Sequence, residues 1–576
     1  MKNFVRIAAF AGCVAALAFT SATSRAFTAN NCASCSPSMS SGNGKTQNPE
    51  IIPIFWETDA NREWEFSSQS PSRSQLFGVA LSVTNSPYFA ELKQYGQIGN
   101  PRLAPYAPIL KGSPVGSPGV EPNPGQSFRQ ADVINVVNQE INYALIPPPQ
   151  ASDDTIYVVF VPNNAQLSDT GCAGHNGCNF PGSIGGTSYM IALVGGLGMG
   201  NGSGDNMNLL THEVSEAITQ YQNVWVNNCG GADQIGDLCQ CATEVYNGNW
   251  IESYWSNYDQ KCVIPEAYGS LYTNANRGGG WTEPLGAFHM RQVYGGGGGD
   301  VIATAAAENG GYGNNVYMFN GSTWNGNLFR CGTRFCYQDV AFGSGGATFA
   351  IGGGTVASIG LDPKVNGVFY YSIASGSWTG IGVPYDIPTS LTVTSNGIIV
   401  VSDSYGYPYY WNPASPGWHS FAGGGLYVAD QYVASGGDIL ALTADHTAIY
   451  RWPASNFTSG GSWTYLGSHS PNLTQVVANS DVPMEYGAVF AGGNYWSYDG
   501  EFYSPDSTPG FQFAVTNTYN ATDLMLDWNL FPHACYGAAC GYSWYGLPGA
   551  GGRVISGTNL LYAGCDTNNN VWCIDL

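Results

Sequence analysis

Positively charged side chains are scarce in this sequence, and charged side chains of either sign are few. Lys and Arg total 18 of 576 residues against 40 Asp and Glu, which gives a formal net charge of −22. A protein this acidic is poorly suited to bind phosphate backbones or anionic membranes, so we expect no nucleic-acid partner. Because only 10% of the residues are charged, uncharged polar residues must supply much of the surface, as suits a secreted all-β architecture.

Long apolar segments are also lacking. Beyond the N-terminus no stretch reaches about 18 uninterrupted apolar residues, so we expect no transmembrane segment. At the N-terminus itself, Lys2 and Arg6 are followed by the apolar run Ile7–Phe19 and then by small residues. This is the order of a secretory signal peptide. We therefore predict a signal peptide over residues 1–26 and a mature protein that is extracellular or periplasmic.

The sequence has 15 cysteines, and removal of Cys13 with the signal peptide leaves an even number. In an exported chain, closely spaced cysteines are typical of disulfide bonds. Cys239 and Cys241 could instead bind a metal ion, but disulfide bonds are the favoured interpretation in an exported protein. The cysteines that we expect in disulfides, with their pairing left open, are Cys172, Cys178, Cys229, Cys239, Cys241, Cys262, Cys331, Cys336, Cys535, Cys540, Cys565 and Cys573.

The length of the chain exceeds that of one ordinary core, so two or three domains are expected. Residues 27–48 are polar and predict a linker. Residues 49–266 alternate apolar β-branched runs with segments of helical periodicity, which predicts an α/β domain. Strands are predicted at Ile51–Trp56, Thr155–Val161 and Tyr189–Val194, and helices from Ser70 towards Val83, at Phe128–Leu145 and at Asn208–Gln220.

Residues 280–576 show a loose repeat instead of helical periodicity. Each unit opens with a Trp and continues with an apolar strand, a Gly-rich turn and an aromatic strand. The openings are Trp281, Trp324, Trp378, Trp418, Trp463 and Trp544. A unit of about 40 to 45 residues is the length of a four-stranded propeller blade. The repeat resembles tectonin-like or kelch-like propellers, which implies six or seven blades with aromatic cores and a few exposed rings that could contact a glycan or a peptide.

The sequence from Thr211 to Thr219 carries the clearest pattern of reactive side chains. On a helix, His212 and Glu216 project from one face and could bind one metal ion. Glu213 lies beside them, where a metallopeptidase places the base that deprotonates a metal-bound water. The pattern resembles the H-E-x-x-H helix of zinc metallopeptidases, with Glu216 in place of the second His. A carboxylate ligand suits Zn²⁺ but also Ca²⁺ or Mn²⁺.

Such a site needs a third ligand, and Asp237, just before Cys239, is our first choice. The alternatives are Glu244, Glu252 and His175. Residues 167–260 contain no Lys or Arg, so a metal ion would offset the acids there. The competing interpretation is an amphipathic helix whose His and Glu are solvated or salt-bridged.

Several segments of the chain occur in an order known from one protein family. They are Ile54–Trp56, Tyr88–Tyr95, Ile156–Val161, Cys172–His175 and residues 211–239. The order resembles that of the secreted phosphate-induced, or EXORDIUM-like, proteins of plants and their bacterial relatives. The resemblance implies an extracellular or cell-wall-associated protein without an assigned reaction.

We therefore predict an exported protein in which a zincin-like α/β domain precedes an all-β propeller. The predicted activity is metal-dependent peptide hydrolysis, with His212, Glu216 and Asp237 as ligands of Zn²⁺, or alternatively of Ca²⁺. Glu213 would be the base, and the propeller would hold an extracellular peptide or glycan. The alternatives are a non-catalytic extracellular protein that binds carbohydrate or protein, and a Ca²⁺-stabilised adhesion module. The sequence leaves the oligomeric state open.

Overall fold

We describe the protein from a computed structural model, and every structural statement concerns the residues that it describes. These are residues 27–28, 38–39, 49–57, 72–84, 87–95, 101–111, 127–150, 155–163, 166–168, 177–196, 205–221, 226–227, 234–239, 243–246, 249–257, 260–264, 270–274, 281–282, 290–295, 300–306, 314–320, 324–325, 348–362, 365–421, 426, 428–468, 473–478, 486–490, 494–498, 502–503, 510–516, 522–527, 532–536, 545–546, 560–565 and 571–575. The predicted signal peptide, residues 1–26, lies outside them.

The chain up to residue 264 mixes helices and strands. The helices are α1 (Arg73–Thr84), α2 (Gln130–Asn142), α3 (Asp205–Tyr221) and two 3₁₀ helices, Pro87–Tyr95 and Asp237–Cys239. The strands are β1 (Phe27–Thr28), β2 (Ser38–Met39), β3 (Glu50–Glu57), β4 (Arg102–Leu103), β5 (Ile109–Lys111), β6 (Ser127–Phe128), β7 (Thr155–Asn163), β8 (Gln166–Leu167), β9 (Gly177–Ile184), β10 (Thr187–Gly196), β11 (Val226–Asn227), β12 (Thr243–Tyr246), β13 (Asn249–Glu252), β14 (Tyr254–Ser256) and β15 (Lys261–Ile264).

A six-stranded mixed sheet organises this part of the chain. Its order is β4-β3-β7-β10-β9, and β5 also pairs with β3. The strands β3, β7 and β10 run parallel, whereas β9 is antiparallel to β10 and forms an edge. The central strands are almost continuously apolar, which is typical of parallel strands that are covered on both faces.

Helices cover the two faces of this sheet. Because side chains alternate along a strand, Ile51 and Phe55 of β3 join a core with α1 and α3. Ile52 and Ile54 point the other way and join a core with α2. The arrangement is therefore a three-layer one, while the zincin-like assignment stays a prediction.

Two pieces of the predicted linker are strands. β1 pairs antiparallel with β15, and β2 pairs antiparallel with β11. Each of these strands has only two residues. Strands this short leave no pattern in the composition, so the polar segment predicted only a linker.

Beyond residue 264, the described strands form seven four-stranded antiparallel sheets, here called blades. Blade 1 is β18–β21 (Met290–Gly295, Asp300–Ala306, Asn314–Asn320, Trp324–Asn325), and blade 2 is β22–β25 (Thr348–Gly352, Thr355–Asp362, Val365–Ser372, Ser377–Gly382). Blade 3 is β26–β29 (Pro388–Val393, Ile399–Asp403, Pro408–Asn412, Ser415–Ser420), and blade 4 is β30–β33 (Ala429–Ser435, Asp438–Thr443, Ala448–Trp452, Thr464–Ser468), with the short helix α4 (Asn456–Ser459) before β33.

The remaining blades complete a ring. Blade 5 is β34–β37 (Leu473–Ala478, Tyr486–Phe490, Asn494–Tyr498, Phe502–Tyr503), and blade 6 is β38–β41 (Gly510–Thr516, Thr522–Asp527, Pro532–Tyr536, Tyr545–Gly546). Blade 7 joins both ends of this region, in the order β17-β16-β43-β42 (Trp281–Thr282, Ser270–Asn274, Val571–Asp575, Leu560–Cys565). The first strands of successive blades contact one another, and β42 of blade 7 contacts β18 of blade 1. This is the arrangement of a β-propeller, with a blade count inside the expected six or seven.

The tryptophan repeat marks the fourth strand of a blade and not its beginning. In blades 1 to 3 the Trp of the fourth strand pairs with an aromatic residue of the third. These pairs are Phe319–Trp324, Tyr371–Trp378 and Trp411–Trp418. Large cross-strand side chains stabilise antiparallel pairs, which accounts for the repeat. Trp281 likewise lies in the fourth strand of blade 7, so the propeller begins at Ser270, ahead of the predicted residue 280.

The propeller and the α/β part share one apolar core. Ile359 and Val393 of the propeller belong to the same buried cluster as Leu76 and Phe77 of α1. The two parts therefore pack directly on each other. No α-helix among the described residues is long and apolar enough to span a membrane.

Partly buried ion pairs cross the same junction. Arg73 at the start of α1 lies 2.5 Å from the Asp386 carboxylate of the propeller. Arg102 in β4 pairs both with Asp430 of the propeller and with Glu50 of β3. Two arginines of the α/β part thus neutralise acids of the propeller in a protein that has few cations.

Candidate metal centre

Helix α3 presents three ionisable side chains to the buried side of the α/β part. It packs against β7, β9 and β10 of the sheet and against β13. His212, Glu213 and Glu216 are all buried. The i,i+4 spacing brings His212 Nε2 to 3.1 Å from Glu216 Oε1.

Asp237 reaches the same imidazole from the 3₁₀ helix Asp237–Cys239. Its Oδ1 lies 3.8 Å from His212 Nε2, and its backbone N–H donates to Glu216 Oε1 at 3.1 Å. A disulfide from Cys239 to Cys262 in β15 ties this turn to its neighbour. One ligand atom from each of His212, Glu216 and Asp237 lies within 4.8 Å of the others, so the structure brings the three predicted ligands together.

Glu252, at the end of β13, contacts the opposite nitrogen of the imidazole. Its Oε1 lies 2.9 Å from His212 Nδ1. Its backbone is held on both sides, because its N–H donates to Thr211 Oγ1 at 3.0 Å and its carbonyl accepts from Tyr88 OH at 2.6 Å. Glu252 is therefore placed to orient the ring, as carboxylates often do for metal-binding histidines.

The other two alternative ligands lie elsewhere in the sequence. Glu244 belongs to strand β12. His175 lies outside the described residues, as do Cys172, Cys229, Cys241, Cys331, Cys336 and Cys540 among the predicted disulfide cysteines. Cys178 is disulfide-bonded.

Asn179 is a residue of this cluster that the sequence did not point to. It lies in the edge strand β9, directly after Cys178. Its Nδ2 donates to Glu216 Oε2 at 2.7 Å and to Glu213 Oε2 at 3.2 Å, and its Oδ1 accepts from Gln234 at 3.0 Å. A single amide thus fixes the spacing of two carboxylates that would otherwise repel each other.

Two glycines let the backbone approach these side chains. A Cβ at Gly177 would lie 2.2 Å from Glu213 Oε1, and a Cβ at Gly236 would lie 2.7 Å from His212 Nδ1 and 2.9 Å from Glu216 Oε1. Any larger residue at either position would displace the ionisable groups.

The cluster has an excess of negative charge. Glu216, Asp237 and Glu252 contact one imidazole, and the Asn179 amide links Glu213 to Glu216. The described residues include no ion pair from a Lys or Arg to the three glutamates. Burial raises the pKa of Glu213 to about 8, with nearby Glu216 adding to the rise against the opposing charge of His212. Burial lowers the pKa of His212, but the charge of Glu216 and the hydrogen bonds that the imidazole donates to Glu216 and Glu252 outweigh it, so that the pKa lies well above its usual value.

A second buried cluster offers three ligand atoms at similar spacing but differs in charge. Glu50, Asp430 and His446 lie within 4.8 Å of one another. Arg102 pairs with both carboxylates, and His446 Nε2 lies 3.1 Å from Asp430. A guanidinium and an imidazole thus oppose two carboxylates, and a divalent ion would add uncompensated charge. The cluster around His212 is therefore the better candidate metal centre.

No protein-family model matches the chain, and no curated protein matches it. Among solved structures, a chain in the crystal structure of Kap60 bound to yeast RCC1 (Prp20) is 8% identical with a TM-score of 0.39, covering 54% of this chain and 90% of that one. A chain of YCF48 bound to D1 peptide is 12% identical with a TM-score of 0.34, over 54% and 98%. A chain of a nidogen/laminin complex is 14% identical with a TM-score of 0.28, over 45% and 98%.

Proposed function

We propose that this is an exported, metal-dependent peptide hydrolase whose metal is held by His212, Glu216 and Asp237. The observation that carries the proposal is the convergence of three carboxylates on one buried imidazole without a Lys or Arg in residues 167–260. Buried carboxylates need compensating charge, and a divalent cation supplies it at one point.

The donor set suits a transition-metal ion. Imidazole and carboxylate are both zinc ligands, and three protein ligands leave zinc an open position, whereas calcium takes six to eight oxygen ligands. We therefore favour Zn²⁺ and keep Ca²⁺ as the alternative. When bound in such a site, zinc makes a water molecule acidic near neutral pH and polarises a substrate carbonyl.

Glu213 is the proposed base. It follows the ligand His212 on the helix, and the Asn179 amide holds its carboxylate at 3.2 Å. A substrate could reach the cluster from the side of Asp237, because the Asp237 side chain is 30% exposed, whereas the His212 side chain is 7% exposed. A substrate would therefore enter past the 3₁₀ helix that carries Asp237, where its carbonyl could come close to Glu213.

The test replaces Glu213 with Gln, which keeps the shape and removes the base. We expect turnover of labelled casein or of a mixed peptide library to fall about 10²- to 10⁴-fold with bound metal unchanged. The matched control is Glu140→Gln, since Glu140 is a buried glutamate of α2 outside the cluster. Full turnover in Glu213→Gln would contradict the proposed role of this residue.

The alternative is a non-catalytic extracellular protein in which the propeller binds carbohydrate or protein. Its support is the propeller itself, which spans more than half of the chain from Ser270 to Asp575. This alternative predicts that Glu213→Gln and the parent protein behave alike in every binding assay, and that no peptide substrate is cleaved.

A further inference from the structure

We propose that Tyr385, in the loop before blade 3, and Tyr407 and Tyr409 of blade 3 form a binding site for a neutral oligosaccharide at the junction with the α/β part. We call these three residues the tyrosine ledge. The inference is independent of the metal centre, because it concerns a different part of the molecule.

A buried carboxylate builds the turn that carries Tyr407. Asp403, at the end of β27, is 1% exposed. Its Oδ1 accepts hydrogen bonds from the backbone N–H groups of Tyr405 and Tyr407 at 2.9 and 3.0 Å. Its own N–H donates to the Tyr407 carbonyl at 3.0 Å. The turn between β27 and β28 is therefore held in one shape.

The loop that carries Tyr385 is tied to the same turn. Asp386, its neighbour, accepts a hydrogen bond from Ser404 Oγ at 2.5 Å and pairs with Arg73 of α1. The hydrogen bond from Ser404 to Asp386 thus joins the loop of Tyr385 to the turn that carries Tyr407. Tyr409 follows two residues later, in β28.

The rings of the ledge are open to a ligand. Tyr385 is 78% exposed and Tyr407 is 46% exposed, and they are two of only five strongly exposed large apolar residues among those described. No ring pair among the described residues includes either of them. By contrast, the face of the nearby Tyr410 ring is covered by His419, at a centroid distance of 5.1 Å.

The chemistry of the ledge fits a neutral sugar. Open aromatic faces pack on the C–H faces of sugar rings, and phenol groups exchange hydrogen bonds with sugar hydroxyls. The two acids nearby offer no free charge, since Asp403 is buried and Asp386 is paired with Arg73. The exposed apolar area is limited to two rings, far below what a stable protein interface buries.

The test is calorimetric titration of the full mature protein with cellohexaose, laminarihexaose and chitohexaose, in the presence of a metal chelator. We expect the parent to bind at least one of them, and the double variant Tyr385→Ala, Tyr407→Ala to bind it at least about tenfold more weakly. The matched control is Tyr465→Ala, which removes a tyrosine of blade 4 that is 52% exposed and should leave the affinity unchanged.

Both replaced rings lie at the surface, so the variant should keep the parent's melting temperature, which is measured alongside. Equal affinity of parent and double variant would overturn the proposal, as would the absence of binding to all three sugars. Because the chelator is present throughout, neither result depends on the proposed metal centre.

Discussion

Replacing Glu252 with Ala should weaken metal binding about 10- to 100-fold without removing a ligand. Glu252 Oε1 lies 2.9 Å from His212 Nδ1, on the ring nitrogen opposite the one that faces Glu216 and Asp237. An acceptor at this position keeps the proton on Nδ1 and leaves the Nε2 lone pair free for an ion. The expected loss corresponds to about 1.4 to 2.8 kcal/mol of binding free energy.

The assay is competition for Zn²⁺ between the protein and a chromophoric chelator of known affinity. Glu252→Gln is the graded control, because it keeps an acceptor oxygen but loses the charge, and it should lie between the parent and Glu252→Ala. The hydrogen bonds from Tyr88 and to Thr211 use the backbone of residue 252, so both variants should keep the local fold. An affinity of Glu252→Ala equal to that of the parent would refute the reasoning.

Two further predictions concern the junction. Replacing Arg102 with Met leaves the buried carboxylates of Glu50 and Asp430 without their guanidinium. The free energy of unfolding, measured in urea, should therefore fall by about 3 to 5 kcal/mol. An unchanged midpoint of urea unfolding would count against the described ion pairs. Burial raises the pKa of Asp386, but Arg73 and Ser404 outweigh it and lower the pKa below its usual 3.8. The stability that this carboxylate contributes is therefore present above pH 3.8 and lost as the pH falls through the lower folded-state pKa. The melting temperature of the parent should therefore fall as the pH is lowered through this range, and the melting temperature of Arg73→Met should fall less.

The sequence predicted those parts of the site that lie close together along the chain. The helix expected at Asn208–Gln220 is present as Asp205–Tyr221, because helical periodicity is a local signal. Asp237 was selected for its place beside Cys239, and the structure brings it to His212.

The partners from distant segments could not be predicted in this way. Asn179 comes from an edge strand and has no local pattern that marks it. Glu252 comes from a separate hairpin, and the sequence offered it only as an alternative metal ligand, not as the partner of His212 Nδ1. The ion pairs of Arg73 and Arg102 join residues more than 300 positions apart, and only the packing of the propeller on the α/β part creates them.

The propeller illustrates how a repeat can be detected and still be misplaced. In blades 1 to 3 the tryptophans pair across strands with an aromatic residue, and the recurrence of tryptophan is visible without a structure. Which strand of a blade carries the Trp cannot be read from the spacing, because the spacing does not say which strand lies outermost. Ser270–Asn274 was therefore missed as part of blade 7, since it has no Trp and its partner is β43 at the other end of the chain.

The most direct test of the account is elemental analysis of the purified mature protein beside the double variant His212→Ala, Glu216→Ala. We predict stoichiometric zinc in the parent and none in the variant, with both proteins folded by circular dichroism. Calcium in the parent that is lost from the variant would favour a structural module over a peptidase. A parent protein free of metal after zinc supplementation would contradict the proposal that this cluster of carboxylates around His212 is a metal centre.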